Sequence, residues 1–271
     1  MAAAEWPPGQ SGRPSPPDAE VAESIRVGVV GARGRMGSEA CRAISDAADL
    51  ELVAEIGSSD ALDALLDNGA QVAVDLTRPG VVMQTIGYCI SHDIHCVIGT
   101  SGVDQQRLDT VAGMLASHPA VGVIVVPNFA IGAVLAIRFA RLAAPFFAGA
   151  EIVELHHAGK ADAPSGTAAA TARDIAAARR AAASPPMPDA TSQELGGARG
   201  ADVDGVHVHS VRLPGLVAHQ EVLLGSDGEL LSIRHDSMHR SSFMPGVLLA
   251  IRRAPQRPGL TLGLEPLLGL D

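Results

Sequence analysis

Short apolar runs alternate with longer amphipathic segments through the first half of the chain. The runs predict β-strands at residues 25–30, 51–56, 72–76, 96–99 and 121–126, and the segments between them predict helices at about 37–47, 82–91 and 105–117. Strands that alternate with helices indicate βαβ units and therefore a parallel sheet. Because the runs are almost continuously apolar, we expect helices to cover both faces of this sheet.

The pattern changes after about residue 128. A long apolar helix is predicted at 131–147, a strand at 151–155, an Ala-rich helix at 168–183 and a long loop at 184–205. Strand-like runs at 207–213, 221–224 and 230–235 follow, and a helical segment begins near residue 243. The expected fold class is thus α/β, with one parallel-sheet domain and a second, α+β domain whose sheet is mostly non-parallel.

Bulk properties narrow the class of protein. The chain has 271 residues, 47% of them hydrophobic, which is enough for two domains with ordinary cores. Its net charge of -10 argues against a nucleic-acid partner, since phosphate binding needs a basic face. No apolar run reaches the roughly 18 residues of a membrane span. Residues 1–23 are rich in Pro, Ala, Gly and Ser and predict a disordered tail.

The three cysteines indicate a reducing compartment. Cys41, Cys89 and Cys96 are odd in number and lack CxxC spacing, so we expect reduced thiols and a cytoplasmic protein. Cys89, His92, His95 and Cys96 superficially resemble a zinc set. They span a helix end and a strand start, so their side chains are not expected to converge, and we predict no metal site.

A glycine-rich turn separates the first predicted strand from the first helix. Gly31, Gly34 and Gly37 lie in it, with Ala32 at the position where the commonest dinucleotide fingerprint has a second glycine. Glycine lets the backbone approach a pyrophosphate, whose charge the helix N-terminus stabilises. The turn alone would also suit a plain tight bend, but its place inside a βαβ series predicts a dinucleotide site.

The choice between NADH and NADPH depends on the end of the second strand. An acidic side chain there would hold a ribose diol, and Glu55 is near this place. If the contact position is Gly57 instead, the acidic group is missing, and Arg33 and Arg35 could accommodate a 2′-phosphate. We therefore expect NADPH to be accepted at least as well as NADH. The alternative for both arginines is a solvated loop charge.

Lys160 is the only lysine in a chain with twenty Lys and Arg residues. Arginine does not lose its proton in a protein, whereas a lysine ammonium can donate one. His156 and His157 lie just upstream, and histidine exchanges protons near neutral pH. A chance survival of one lysine is the alternative, but the neighbouring histidines favour a chemical role.

The segment after Lys160 predicts an anion site. Pro164, Ser165 and Gly166 precede a helix, whose first N–H groups and dipole suit a carboxylate, and the Thr167 hydroxyl is a further donor. The alternative is an ordinary capped helix. Elsewhere, His207 and His209 share one face of a strand and are expected at a surface or interface, and His235 and His239 are expected to be structural.

These motifs together resemble the dihydrodipicolinate reductase family, most closely its actinobacterial form. The matching strings are 31–37, 75–79, 99–102, 127–129 and 154–167, and the resemblance extends from about residue 25 to the C-terminus. It implies an N-terminal Rossmann-like domain at 24–129, completed by residues 241–271, that binds NADH or NADPH. It also implies a substrate-binding domain at 130–240 whose sheet builds a homotetramer.

The resemblance also implies roles for individual residues. His156 would accept and donate a proton, Lys160 would donate one, and His157, Gly166 and Thr167 would hold a small dicarboxylate. The cofactor would contact Gly31, Ala32, Arg33, Gly34, Arg35, Met36, Gly99, Thr100, Ser101, Val126, Pro127, Asn128 and Phe129. Ser101 replaces the family's usual threonine and keeps a hydroxyl.

The implied activity is the NAD(P)H-dependent reduction of 4-hydroxy-tetrahydrodipicolinate in lysine and diaminopimelate biosynthesis. Two rivals share the fold, a non-catalytic dinucleotide sensor and a dehydrogenase of another small acid.

Overall fold

The computed structural model describes residues 24–100 and 102–270. The predicted tail at 1–23 and the proposed cofactor contact Ser101 lie outside the described residues. The strands are β1 (Ile25–Val30), β2 (Leu50–Ile56), β3 (Val72–Asp75), β4 (His95–Ile98), β5 (Gly122–Val125), β6 (Gly149–His156), β7 (Ala201–Val203), β8 (Val206–Arg212), β9 (Ala218–Ser226), β10 (Glu229–Ser237) and β11 (Gly259–Leu262). The α-helices are α1 (Arg35–Ser45), α2 (Asp63–Asp67), α3 (Val82–Ser91), α4 (Gln105–Leu115), α5 (Ile131–Ala143), α6 (Gly166–Ala181) and α7 (Met244–Arg253).

Six strands form a parallel sheet in the order β11-β5-β4-β3-β1-β2. Strands β3 and β5 are buried along their whole length, and apart from Asp75 at the end of β3 they carry no polar side chain, as the sequence pattern predicts. One apolar cluster joins the sheet to α1 and α7 through Ile44 and Ile251, and a second joins it to α2, α3 and α4 through Leu65, Ile86 and Val111. Helices therefore cover both faces, and the expected α/β class is confirmed.

The second sheet is mixed, in the order β10-β9-β6-β8-β7. The central strand β6 pairs parallel with β8 and antiparallel with β9. Helices α5 and α6 cover one face, where Ile152, Ile175 and Leu224 are buried together. The other face of this sheet carries only partly buried side chains on β6, such as Glu151 and Val153.

The structure adds elements that the sequence pattern did not predict. Helix α2 is too short to show a period, and β7 lies inside the predicted loop. Strand β11 is recognisable only through its pairing with β5. The predicted helix at 131–147 ends instead at Ala143 and continues as a 3₁₀ turn, because Pro145 has no backbone N–H to continue the helical hydrogen bonds.

The C-terminal segment returns to the first sheet. Helix α7 packs into the same cluster as α1, and β11 forms the edge of the sheet beside β5. Two sheets thus meet along the segments that follow β5 and β10. Within the described residues, no helix has both the length and the apolarity needed to cross a membrane.

Candidate active site

The glycine turn lies at the carboxyl edge of the parallel sheet. Gly31 has a φ of +87°, and the backbone N–H groups of Gly31 and Ala32 donate to the Ile56 carbonyl at 2.8 and 3.1 Å. A Cβ atom on Gly37 would lie 2.0 Å from the Gly31 carbonyl oxygen, so α1 can pack this closely only with glycine there. The glycine turn therefore brings the N-terminus of α1 close to the carboxyl edge of the sheet.

A cavity of about 770 Å³ opens in front of this turn. Gly31, Arg33 and Gly34 line it, together with Gly57 and Asp60. The Asp60 carboxylate accepts the Gly57 backbone N–H at 2.8 Å and pairs with Arg33 at 2.9 Å. The acidic group Asp60 is therefore present just after β2, three residues beyond Gly57.

Glu55 does not line this cavity. Its carboxylate instead lies near Cys41 on α1, where burial of the thiol and the neighbouring negative charge raise the pKa of Cys41 to about 12. The Glu55 side chain, the first ribose ligand considered from the sequence, is thus exposed beside α1 and away from this cavity.

Asp75 holds two loops of the sheet edge together. Its buried carboxylate oxygen Oδ1 accepts hydrogen bonds from the Thr77 backbone N–H at 3.0 Å, the Thr77 hydroxyl at 2.7 Å and the Thr100 hydroxyl at 2.6 Å. A Cβ atom on Gly99 would lie 2.4 Å from the Phe129 ring. The loops after β3, β4 and β5 are therefore packed against one another at one edge, as expected for a ligand site of an open α/β sheet.

A second cavity, of about 260 Å³, lies between the two sheets. Parallel-sheet loops and the first α1 turn form one wall, and the second sheet with the start of α6 forms the other. Its lining residues are Met36, Gly99, Pro127, Asn128, Phe129, Ala130, Ala133, His156, Ser165, Thr167, Ala218, His219, Gln220, His235, Ser237 and Phe243.

His156 belongs to a charged cluster at the end of β6. Its Nδ1 atom lies 2.5 Å from Glu154 Oε2. Arg212 on β8 donates to both oxygens of Glu154, at 2.9 and 2.7 Å, and the Ser165 backbone N–H donates to Oε1 at 3.2 Å. Glu154 is fully buried. The register of β6 and β8 pairs His156 with Arg212, which brings the three side chains together.

Burial and the neighbouring polar groups act in opposite directions on the pKa values of this cluster. Desolvation alone would raise the pKa of Glu154, but hydrogen bonds from Arg212, Ser210 and His156 outweigh it and hold that pKa below 4.5. Burial lowers the pKa of His156 below 6.5, although the Glu154 carboxylate acts in the opposite direction. The cavity therefore presents a neutral imidazole beside an ionised carboxylate at neutral pH.

Lys160 lies in the loop between β6 and α6. Its Nζ atom is 2.7 Å from Asp162 Oδ1, and its side chain is 22% exposed. The Lys160 ammonium, through its hydrogen bond, lowers the pKa of Asp162. At the start of α6, the Ser165 hydroxyl accepts the Ala168 backbone N–H at 3.1 Å and caps the helix. The predicted helix N-terminus is thus confirmed and faces the cavity through Thr167.

The predicted site residues that the structure describes divide into two groups. Those that line one of the two cavities are Gly31, Arg33, Gly34, Met36, Gly99, Pro127, Asn128, Phe129, His156 and Thr167. Those that lie beside them without lining either are Ala32, Arg35, Thr100, Val126, His157, Lys160 and Gly166. Of these, Ala32, Thr100 and Val126 are buried supports, whereas His157 and Arg35 are exposed.

One wall of the smaller cavity was not predicted from the sequence. His219, Gln220, His235 and Ser237 on β9 and β10 line it, so His235 is part of the site and not only of the framework. The buried Oε1 atom of Gln220 has no hydrogen-bond partner within the part of the chain that the structure describes. His235 and Ser237 are two residues apart on β10 and so share a face, but only the fold shows where that face lies.

The other histidines are explained by local partners. His92 stacks on Tyr88, and His95 accepts the Gly122 backbone N–H at 3.0 Å, while Cys89 and Cys96 are buried. No group of three or more potential metal ligands occurs in residues 24–100 and 102–270. His207 and His209 lie near Asp189 and Glu151 on the open face of the second sheet.

The parallel sheet, its glycine turn and the cavity that joins them to a His/Glu/Arg cluster define a dinucleotide-binding oxidoreductase. Comparison with known proteins makes this specific. Residues 25–129 match the family model for the dihydrodipicolinate reductase N-terminus, and residues 132–268 match the model for its C-terminus. The chain belongs to the dihydrodipicolinate reductase family, as its motifs indicated.

Individual members of this family are similar to the chain over almost their whole length. The 4-hydroxy-tetrahydrodipicolinate reductase of Nocardia farcinica is 60% identical over 91% of this chain and 100% of its own length. That of Streptomyces avermitilis is 59% identical over 91% of this chain and 99% of its own length. A dipicolinate-bound dihydrodipicolinate reductase from Paenisporosarcina superposes with a TM-score of 0.79 at 38% identity, over 90% of this chain and 99% of that one.

Proposed function

We propose that this chain reduces 4-hydroxy-tetrahydrodipicolinate to tetrahydrodipicolinate with NADH or NADPH, in the diaminopimelate route to lysine. The observation that carries the proposal is the smaller cavity. It brings Phe129 and Asn128 of the dinucleotide edge against His156 and Thr167 of the second sheet. A reductase of a small dicarboxylate needs both a dinucleotide site and proton donors on opposite walls of one space.

Residues 24–129 and 241–271 form the dinucleotide-binding part in this proposal. The glycine turn at Gly31 and the N-terminus of α1 fit a pyrophosphate, because glycine keeps the approach clear and the first N–H groups of a helix have no intrahelical acceptor. The larger cavity beyond has room for the adenosine half. Gly99, Pro127, Asn128 and Phe129 would hold the nicotinamide half, and this ring supplies the hydride.

Residues 130–240 form the substrate-binding part. His157, Gly166 and Thr167 would hold the two carboxylates, with the positive end of α6 providing the local field. This explains how a chain of net charge -10 binds an acidic substrate.

Proton transfer falls to His156 and Lys160. Loss of the substrate's 4-hydroxyl group as water leaves a ring double bond. Hydride addition to one carbon of that double bond leaves an electron pair on the neighbouring carbon, as a carbanion or enamine. That carbon then takes a proton. Lys160, as an ammonium, donates it, and His156 exchanges protons from the cavity wall, where general acid–base help contributes roughly 10²- to 10⁴-fold in rate.

Cofactor choice depends on two side chains at the larger cavity. Arg33 favours a 2′-phosphate, whereas the Asp60 carboxylate favours a ribose diol. Asp60 already accepts Gly57 and pairs with Arg33, so the two side chains offset each other. We expect NADPH to be used at least as well as NADH, and kcat/KM measured with each cofactor tests this. A strong preference for NADH would contradict it.

A homotetramer in the cytoplasm completes the proposal. The second sheet has an open face and an exposed β10 edge with Leu230 and Leu231, 66% and 37% exposed. Pairing of such sheets between copies would cover this apolar surface. Light scattering gives the mass; a monomer at micromolar concentration would contradict the tetramer.

The direct test is oxidation of NADH or NADPH by the purified chain with freshly generated 4-hydroxy-tetrahydrodipicolinate. We expect turnover that depends on this substrate. A dinucleotide sensor would bind the cofactor without turnover, and a dehydrogenase of another acid would turn over only with that acid. Failure of a folded protein to oxidise the cofactor would refute the assignment.

A further inference from the structure

The carboxylate of Glu154 is surrounded by donors. Arg212 provides two N–H groups, and the Ser165 backbone provides a third. A guanidinium and a backbone amide can only donate hydrogen bonds. Both Glu154 oxygens therefore accept, and the two-pronged contact with the Arg212 guanidinium keeps the carboxyl group ionised although it is fully buried.

This constrains the imidazole of His156. An ionised carboxylate has no proton to donate, so at the 2.5 Å contact between His156 Nδ1 and Glu154 Oε2 the donor must be Nδ1. In a neutral imidazole only one nitrogen carries a proton. Nε2 is then unprotonated and is the only ring atom through which His156 can take up a proton.

We propose that Glu154 is a positioning residue that fixes His156 as the Nδ1–H tautomer, so that Nε2 is the proton-exchanging atom of the cavity. Arg212 keeps Glu154 ionised and oriented. The consequence for catalysis rests on the proposed function, but the tautomer itself does not. The arrangement follows a general pattern, in which a carboxylate behind an imidazole sets its tautomer and orientation.

Other charged and titratable groups surround His156. Lys160 and Arg212 lower its pKa, from the loop before α6 and from β8. His219 and His235 line the same cavity from β9 and β10. None of these replaces Glu154 at Nδ1, since the shortest contact of that atom is with the carboxylate.

The chain contains a matched control on the same strand. Glu151 also pairs with one histidine and one arginine, His209 at 2.7 Å and Arg199 at 2.5 Å. It lines neither cavity. Glu151→Gln therefore removes an equivalent carboxylate from β6 without touching the site.

The experiment measures ¹⁵N chemical shifts of the histidine rings in the ligand-free full-length protein. The His156 signals are assigned from their loss in His156→Gln. Above the pKa of His156, we expect a protonated Nδ1 and an unprotonated Nε2 in the wild type and in Glu151→Gln. In Glu154→Gln the amide can donate or accept, so we expect a mixture of tautomers. We also expect kcat to fall roughly 100-fold with little change in KM.

Each outcome decides the proposal. A wild-type His156 with its proton on Nε2 overturns it, and this measurement needs no variant that could fail to fold. A Glu154→Gln protein with mixed tautomers but an unchanged kcat also overturns it, because positioning would then not matter for the reaction. If the wild-type tautomer is as expected but the substrate is not turned over, the proposed function fails while the fixed tautomer stands.

Discussion

Strand β6 carries two carboxylates that have nearly the same partners and very different surroundings. Glu154 holds His156 and Arg212 on the helix-covered face of the second sheet, and Glu151 holds His209 and Arg199 on the open face. Positions 151 and 154 differ by an odd number, which places them on opposite faces of a strand. Glu154 has 0% of its side chain exposed, against 34% for Glu151.

The difference shows that residue type alone does not make a site. The two clusters contain the same chemical groups, but only one lies beside a cavity. They also use different nitrogens: Glu154 contacts Nδ1 of its histidine, whereas Glu151 contacts Nε2. The buried cluster thus leaves Nε2 for a ligand, while the open-face cluster links β6 and β8 to the segment around Arg199.

Replacing each histidine gives the largest expected contrast. In His156→Gln, we expect kcat for the reductase reaction to fall roughly 10²- to 10⁴-fold, because proton exchange at the cavity is lost. In His209→Gln, we expect kcat to remain near the wild-type value. Steady-state kinetics at saturating cofactor measures both. Equal losses in the two variants would show that the cavity does not distinguish the clusters.

Replacing each arginine tests how much the burial of its carboxylate partner matters for the free energy of unfolding. Arg212→Met leaves a fully buried carboxylate without its main partner, which costs about 3–5 kcal/mol in the free energy of unfolding. Arg199→Met removes a partner from a carboxylate that is one-third exposed, where water replaces the lost bonds. Urea unfolding gives both values. A loss for Arg199→Met as large as that for Arg212→Met would contradict the argument.

Changing the type of cation separates charge from proton donation. In Lys160→Arg the positive charge near Asp162 is kept but proton donation is lost, so we expect kcat to fall roughly 100-fold. The matched change on the open face is Arg199→Lys, for which we expect an unchanged kcat. If Lys160→Arg keeps near-full activity, Lys160 acts only as a charge.

How much of this site could be predicted depended on sequence distance. The glycine turn, the His156–Lys160 run and the cap at Ser165 lie within short segments, so their geometry follows from local rules. Glu154 and Arg212 are 58 residues apart and meet only through the register of β6 and β8. Nothing in the sequence pattern states that register, so Arg212 received no role.

The fold was also predictable where local patterns determine it, and the prediction failed where distant segments pair. The alternating strands and helices of the first half predict the parallel sheet with nearly correct bounds. Strand β11 joins that sheet beside β5 after more than a hundred residues of intervening chain, a long-range pairing that a local pattern does not contain. The cavity wall on β9 and β10 was missed because the facing of those strands depends on how the two sheets meet.

Replacing Ser165, the N-cap of α6, tests the end of the helix whose backbone N–H contacts Glu154. In Ser165→Ala, the Ala168 N–H loses its acceptor, which costs about 1 kcal/mol of stability. Because the Ser165 N–H also donates to Glu154, we expect KM for the substrate to rise as the start of α6 loosens. The cap of α4 is the control, since Asp104→Ala removes an equivalent bond to Arg107 and should cost similar stability in urea unfolding. A fully stable Ser165→Ala protein would show that this cap contributes little.

The pH dependence of stability gives the smallest expected effect, because burial and the Glu154 carboxylate act on His156 in opposite directions. Burial is the stronger, so the pKa of His156 lies below its ordinary value of 6.5 in the folded chain. The unfolded chain then binds more protons around that pH, and the contribution of His156 to stability is complete above 6.5. It is lost as the pH falls through the folded pKa. As the pH is lowered from neutral, the wild type should therefore lose free energy of unfolding that His156→Gln does not lose, and the difference between the two proteins should shrink. A difference that grows on acidification would mean that Glu154 outweighs burial and that His156 is held as an imidazolium.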